Sequence, residues 1–183
     1  KEAIGDAYCG ILNCDGWKAY PNLPKHLQRC WAHLLREAKV LAEEKEGQAR
    51  LLYQELCEPY AKIRLLREQQ LSAGERKDQH SMLVKQMKRI IARTQAYIEL
   101  RTFARKIEHG QEQWFTCVLY PEIEPTNNRA ERALREMVVQ RKITGTLRNE
   151  RGTHMTEVLM SCIQTWKLQG LNTFSMLKQI LSS

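Results

Sequence analysis

Asp15 and Glu131 are the carboxylates of this chain whose surroundings best suit catalysis. Glu131 stands in Pro125-Thr126-Asn127-Asn128-Arg129-Ala130-Glu131-Arg132-Ala133-Leu134-Arg135, a lone acid among Arg129, Arg132 and Arg135. A carboxylate in a basic field suits a group that holds a metal ion against a polyanion. The plainer alternative is a solvated helix face with an i,i+4 pair from Glu131 to Arg135. Asp15 follows the apolar run Ala7 to Cys14 and begins the turn Asp15-Gly16. That places it at the carboxyl end of a predicted strand, where α/β folds carry their chemistry. Carboxylates from a strand end and a helix face are the usual ligands of Mg²⁺ or Mn²⁺ acting on phosphates. A pair of such ions stabilises both the attacking and the leaving oxygen of an in-line phosphoryl displacement.

Basic side chains gather near Glu131. Arg129, Arg132, Arg135, Arg141, Lys142, Arg148 and Arg151 fall in a stretch whose acids are Glu131, Glu136 and Glu150. Each cation that neutralises a phosphate releases counterions and makes binding salt-dependent; a solvated basic face is the alternative. Trp17 and Tyr20 are candidates to stack on an unpaired base, or else core aromatics beside a strand end. His33 is a candidate hydrogen-bonding partner or proton carrier near a carboxylate site, or a structural histidine. Cys30-Trp31-Ala32-His33 has C-x-x-H spacing, which falls short of the tetrahedral ligand set of structural zinc.

The elements that position these residues are mostly helical. Tyr8 to Cys14 reads as a buried strand and Leu27 to Trp31 as a second short one, followed by a helix from His33 to Glu44. From Glu43 to about His109 the chain is charged, Gln-rich and helical. Leu52, Leu56, Tyr60 and Ile63 share a face, and Pro59 is expected to kink or interrupt that helix. Ser72-Ala73-Gly74 signals a turn. Leu83, Met87, Ile90, Thr94 and Tyr97 then alternate spacings of four and three, a coiled-coil-like seam. Together these predict a helical hairpin, either an inserted arm or ordinary bundle helices. Trp114 to Tyr120 fits a helix end or a strand. Pro125 blocks continuation from upstream, and Thr126, Asn127 or Asn128 can cap a helix through Val139 whose stripe is Ala130, Leu134, Met137 and Val138. A loop through Thr144 to Gly152 leads to a helix with Met155, Val158, Leu159, Cys162, Ile163 and Trp166 inward. Gly170 ends it, and a last short helix runs from Thr173 to Leu181.

A hydrophobic content of 43% in 183 residues supports a real core and excludes a disordered composition. The excess of 29 Lys+Arg over 21 Asp+Glu, a formal +8, favours a polyanionic partner such as nucleic acid. No uncharged apolar run reaches membrane-spanning length, and the start lacks a signal-peptide core, so a cytoplasmic location is expected. The six cysteines lack framework spacing and read as reduced thiols.

In order, Asp15-Gly16-Trp17-x-x-Tyr20, then Gln28-Arg29-Cys30-Trp31-Ala32-His33-Leu34-Leu35-Arg36-Glu37, then Pro125 to Arg135 with Arg141-Lys142, then Gly145, Arg148, Gly152 and Gln169-Gly170, resemble the catalytic region of the insertion-sequence-66 family of DDE transposases. The resemblance covers nearly the whole chain. It implies an α/β, RNase H-like fold with an Asp-Asp-Glu triad on two divalent ions, Mg²⁺ or Mn²⁺, with DNA ends and target DNA as partners and a homo-oligomer in the transposition complex. Asp15 takes the place of the second Asp and Glu131 that of the Glu. Asn127, Asn128 and His33 would support the metal ligands. Trp17, Arg129, Arg132, Arg135, Arg141, Lys142, Arg148 and Arg151 would contact DNA. Asp6 matches a noncatalytic segment of the family, so the first Asp is expected upstream of Lys1, and the chain alone is expected to be inactive.

On this reading residues 1–42 are a partial RNase H-like core of about two strands, 43–112 a helical insertion, and 113–183 the return to the core with the Glu helix and C-terminal helices. The function expected is nucleoid-associated, metal-dependent phosphodiester hydrolysis and strand transfer at element ends. A noncatalytic DNA-binding or assembly module derived from a transposase is the alternative.

Overall fold

The computed structural model describes residues 8–15, 26–145 and 149–182. It is mostly helical and, among these residues, contains one parallel pair of strands. β1 (Ile11–Cys14) pairs with β2 (His26–Arg29) in the register Ile11↔His26, Leu12↔Leu27, Asn13↔Gln28 and Cys14↔Arg29. The ladder is extended by the Cys30 N–H, which donates to the Cys14 carbonyl at 2.8 Å. Then follow α1 (Trp31–Lys45), α2 (Gly47–Arg67), α3 (Ala73–Gln95), α4 (Arg101–Gly110), α5 (Thr116–Leu119), α6 (Asn128–Thr144), α7 (Glu150–Leu168) and α8 (Thr173–Leu181), with short 3₁₀ turns at Ile98–Leu100 and Gln111–Trp114. The chain divides into two compact units, residues 1–129 and 130–183, with the division inside α6.

In the first unit α1, α2, α3 and α4 close on one core around Trp31, Trp114 and Phe115. Trp31 lies 5.7 Å from Tyr60, 5.9 Å from Trp114 and 5.6 Å from Phe115 between ring centroids. The polar contacts that bind β2 to the return segment are buried. Gln28 is fully enclosed; its Nε2 donates to the carbonyls of Arg29 (2.7 Å) and Trp114 (3.2 Å), and its Oε1 accepts from the Cys117 N–H (2.7 Å). The Trp31 Nε1 donates to the same Trp114 carbonyl at 2.6 Å, and the Thr116 hydroxyl donates to Leu27 O at 2.6 Å. Arg29 is buried too, and its guanidinium, whose pKa burial lowers, donates to Gln113 Oε1 and sits 5.6 Å from the Trp114 ring centroid.

Several sequence expectations change here. β2 ends at Arg29 and Trp31 begins α1, because the Trp31 N–H has a partner outside the helix, the carbonyl of Pro125 at 3.0 Å. β1 is shorter than expected, starting at Ile11. α2 is not interrupted by Pro59: the proline is buried on the same stripe as Leu52, Leu56 and Ile63, and packing outweighs the ~3 kcal/mol cost of an interior proline. Ser72 is a cap, not only a turn residue: its Oγ accepts from Glu75 N–H while Glu75 Oε2 accepts from Ser72 N–H, a capping box. The seam of Leu83, Met87, Ile90 and Thr94 is buried in the core shared with α1 and α2, and the Thr94 hydroxyl is satisfied by Ile90 O at 2.7 Å. Trp114 closes a 3₁₀ turn, and α5 follows it, so no strand forms there.

The second unit is built from α6, α7 and α8. Asn149 caps α7 by accepting from Gly152 N–H, and Asn172 caps α8 by accepting from Ser175 N–H. Gly170, at φ +70°, ends α7, a conformation glycine takes without cost. Of the α7 residues expected to be inward, Cys162, Ile163 and Trp166 are partly buried, whereas the rest face solvent, as does the apolar stripe of α6. Leu134, Met137, Val138, Met155, Val158 and Leu159 are exposed, and Met160 alone in α7 is buried, because a unit of three helices has too little mass to enclose them. Glu136 accepts from Lys167 Nζ at 2.7 Å and from Gln164 Nε2 at 2.8 Å, linking α6 to α7.

Two outcomes follow from this packing. A Cβ at Gly110 would stand 2.3 Å from Trp114 Nε1 and 2.9 Å from Arg29 Cδ, so Gly110→Ala should lower stability by about 1–3 kcal/mol in urea unfolding. The bonds from Lys167 and Gln164 hold the Glu136 carboxyl below the usual carboxylate range. A lowered folded pKa contributes stability above the ordinary value of 4.5 that is lost as pH falls through the folded value. Circular dichroism should therefore show an acid loss of helix that Lys167→Met flattens.

Candidate functional site

The segment before α6 is fastened to the strand that carries Asp15. Asn13 Nδ2 donates to the carbonyls of Glu124 at 2.7 Å and Thr126 at 3.0 Å. Between those two, the carbonyl of Pro125 accepts the first N–H of α1 from Trp31. The next N–H, that of Asn127, donates to the Cys30 Sγ at 3.4 Å. Four consecutive residues are thus bonded to β1 and to the junction of β2 with α1. Pro125 is the residue suited to the buried position, since it has no N–H to leave unsatisfied there. α1 has no side-chain cap at Cys30, and the Pro125 carbonyl meets part of that need.

Asp15 is exposed immediately beyond β1, two residues after Asn13. His33 is partly buried in the first turn of α1, the helix that begins under Pro125. Asn127 is partly buried and Asn128 starts α6, so both belong to the fastened segment and its exit. Glu131 follows in the first turn of α6, three residues after Asn128, in the second unit. Each carboxylate is thus positioned within its own unit.

The oxygen atoms around β1 suit a hard cation. Both donor positions of the Asn13 amide are used by carbonyls, which fixes its orientation and leaves Oδ1 as the remaining atom. Among the described residues, Asn13 Oδ1 and Asn127 Oδ1 are enclosed and accept no hydrogen bond. Buried acceptors are normally met by water, an ion or a donor. A carboxylate with amide oxygens matches the donor chemistry of Mg²⁺ or Mn²⁺. Among the described residues no group of three or more His, Cys, Asp or Glu side chains gathers, so the fit rests on Asp15 and these amides. Cys30 of the C-x-x-H pair is buried and engaged by Asn127, and all six cysteines are unbridged.

The cations are on the surface. Arg129, Arg132, Arg135, Arg141 and Lys142 are exposed along α6, and Arg151 is exposed in α7. Helical spacing sets Glu131, Arg135 and Lys142 on one line of α6, beside the apolar residues Leu134, Met137 and Val138. Between α6 and α7 lies a groove of about 560 Å³ lined by Leu134, Met137, Val138, Arg141 and Met160. Trp17, Tyr20 and Arg148, expected at the DNA, lie outside the described residues, as does Asp6.

Asn13 is the residue that the sequence reading missed. Its signal was an amide in an otherwise apolar strand, two positions before Asp15, but its partners lie 111 and 113 residues downstream.

Among the described residues no helix is long and apolar enough to cross a membrane. Neither the curated proteins nor the solved structures yield a match to the chain. A family model described as transposase IS66 family matches residues 1–155, which take in β1 with Asp15, the fastened segment, and α6 with Glu131. The chain belongs to the IS66 family of transposases.

Proposed function

We propose that this chain is the part of an RNase H-like transposase catalytic domain that supplies the second and third carboxylates, Asp15 and Glu131, of a metal-dependent DNA cleavage and strand-transfer site. The observation that supports it is the bonding of Glu124 and Thr126 to the strand before Asp15, and of Pro125 and Asn127 to the junction of β2 with α1, in a span that the transposase family model covers. A divalent cation supplies Lewis acidity and neutralises charge on the phosphate. Asp15 and Glu131 would hold the cations, and Asn127, Asn128 and His33 would orient those carboxylates or the metal-bound water. The first carboxylate comes from outside residues 8–182. Residues 43–112 are the family's variable insertion within the catalytic domain.

The chemistry is phosphoryl transfer in successive steps. Water attacks the phosphorus at the element end, and the P–O bond to the element's 3′ oxygen breaks, leaving a 3′-hydroxyl. That hydroxyl then attacks a target phosphodiester and displaces the target's 3′ oxygen. Arg129, Arg132, Arg135, Arg141, Lys142, Arg148 and Arg151 bind the phosphates on either side, and Trp17 stacks on a base exposed at the end.

In a protein that also carries the upstream segment with the first carboxylate, Asp15→Asn and Glu131→Gln should each lower Mn²⁺-dependent cleavage of element-end DNA by about 10²–10³-fold or more. Undiminished cleavage by either variant would falsify its assignment. Replacing Arg135 or Lys142 by Gln should reduce the slope of log affinity against log salt by about one each, uniformly across DNA sequences.

A further inference from the structure

We infer that Asn13 is a positioning residue of the cation site, and that the amide oxygens of Asn13 and Asn127 are acceptors built for the hydration shell of a divalent cation at Asp15. This rests on the reading of Asp15 as a metal-holding carboxylate.

The geometry does two things with one side chain. The Nδ2 of Asn13 closes on Glu124 and Thr126, so the segment leading into α6 is held at the Asp15 end of β1. That same pair of bonds turns Oδ1 the other way, into an enclosed position where no described group donates to it. Asn127 Oδ1, on the segment so held, is enclosed and without a donor as well. Asn127 is itself fixed through its N–H on Cys30, whose own N–H bonds the Cys14 carbonyl, next to Asp15. Two enclosed acceptors on bonded backbones, one of them two residues before Asp15, make an arrangement that gains its missing donors when a hydrated cation arrives. Aspartate in place of Asn13 would lose both Nδ2 bonds, and glutamine would displace the amide, so the position calls for asparagine. Neither residue is placed among the groups that touch the scissile phosphate.

Cation binding and apo stability separate this role from a merely structural one. Mn²⁺ binding to the full chain without DNA is read by electron paramagnetic resonance of free Mn²⁺, beside thermal unfolding without metal. Asn127→Ala removes an acceptor that makes no bond, so its apo melting temperature should match or exceed that of the parent while Mn²⁺ affinity falls about tenfold. Asn13→Ala should lose affinity at least as far, and should also raise amide exchange across residues 124–128. Unchanged Mn²⁺ affinity in Asn127→Ala, with Asp15→Asn abolishing binding, overturns this inference and leaves the Asp15 reading standing. Unchanged affinity in Asp15→Asn overturns both. Should Asn13→Ala fail to fold, Asn127→Ala decides alone, since nothing in the apo packing depends on its Oδ1.

Discussion

Gln28 presents a buried amide with every polar atom engaged, and the first unit depends on it. Its carbonyl oxygen and both hydrogens of its amide nitrogen are committed to backbone groups of Arg29, Trp114 and Cys117, in a place where water does not reach. A hydrogen bond of this kind contributes about 1 kcal/mol net, but an orphaned group left behind costs about 1–3 kcal/mol. The larger consequence is specificity of placement. The Gln111–Leu119 return is placed so that Gln28, Trp31 Nε1 and Thr116 are satisfied together. The aromatic cluster of Trp31, Trp114 and Phe115 fills the space that this alignment defines, and α1 to α4 bury their apolar stripes against it.

The sheet is small, so the segment at its end is held by polar contacts more than by strand mass. Asn13 grips alternate carbonyls of the 124–126 segment, and Pro125 turns the carbonyl between them to the start of α1. The order of motifs along the chain acquires a physical sense from this. The strand with Asp15, the Cys30-Trp31 junction and the Pro125-Thr126-Asn127-Asn128 run are three pieces of one hydrogen-bonded knot, and the long helices between them are what the knot closes off.

Local chemistry was legible where the signal is local. The extent of α8 could be read from Asn172, a cap, and Gly170, a stop, and the apolar face of α2 from its spacing. The place of Asp15 just past a strand was legible from a turn dipeptide after an apolar run. What the sequence hid depends on partners far along the chain. Trp31 looks like a strand residue until the Pro125 carbonyl is known to meet its N–H. Pro59 looks like a breaker until it is seen on the buried stripe. Asn13 looks incidental because its acceptors are main-chain carbonyls, which have no residue type to read. The stripes of α6 and α7 have helical periodicity whether or not anything covers them, so periodicity gave the helices but not which residues they bury: in α7 Cys162, Ile163 and Trp166 are partly buried while Met155, Val158 and Leu159 are exposed.

The carbonyl of Trp114 receives both the Gln28 amide and the Trp31 indole, so the chain's departure into α1 and its return before α5 meet at one oxygen atom. A loop whose two ends are tied at its neck transmits little of what happens at its far end. Lengthening a flexible loop costs free energy only logarithmically in its length. The turns of the α2–α3 hairpin can therefore take up added residues at little cost, while the bonds of Asn13 to Glu124 and Thr126 stay as they are. The neck lets the hairpin's far turns lengthen without loosening the bonds at its base.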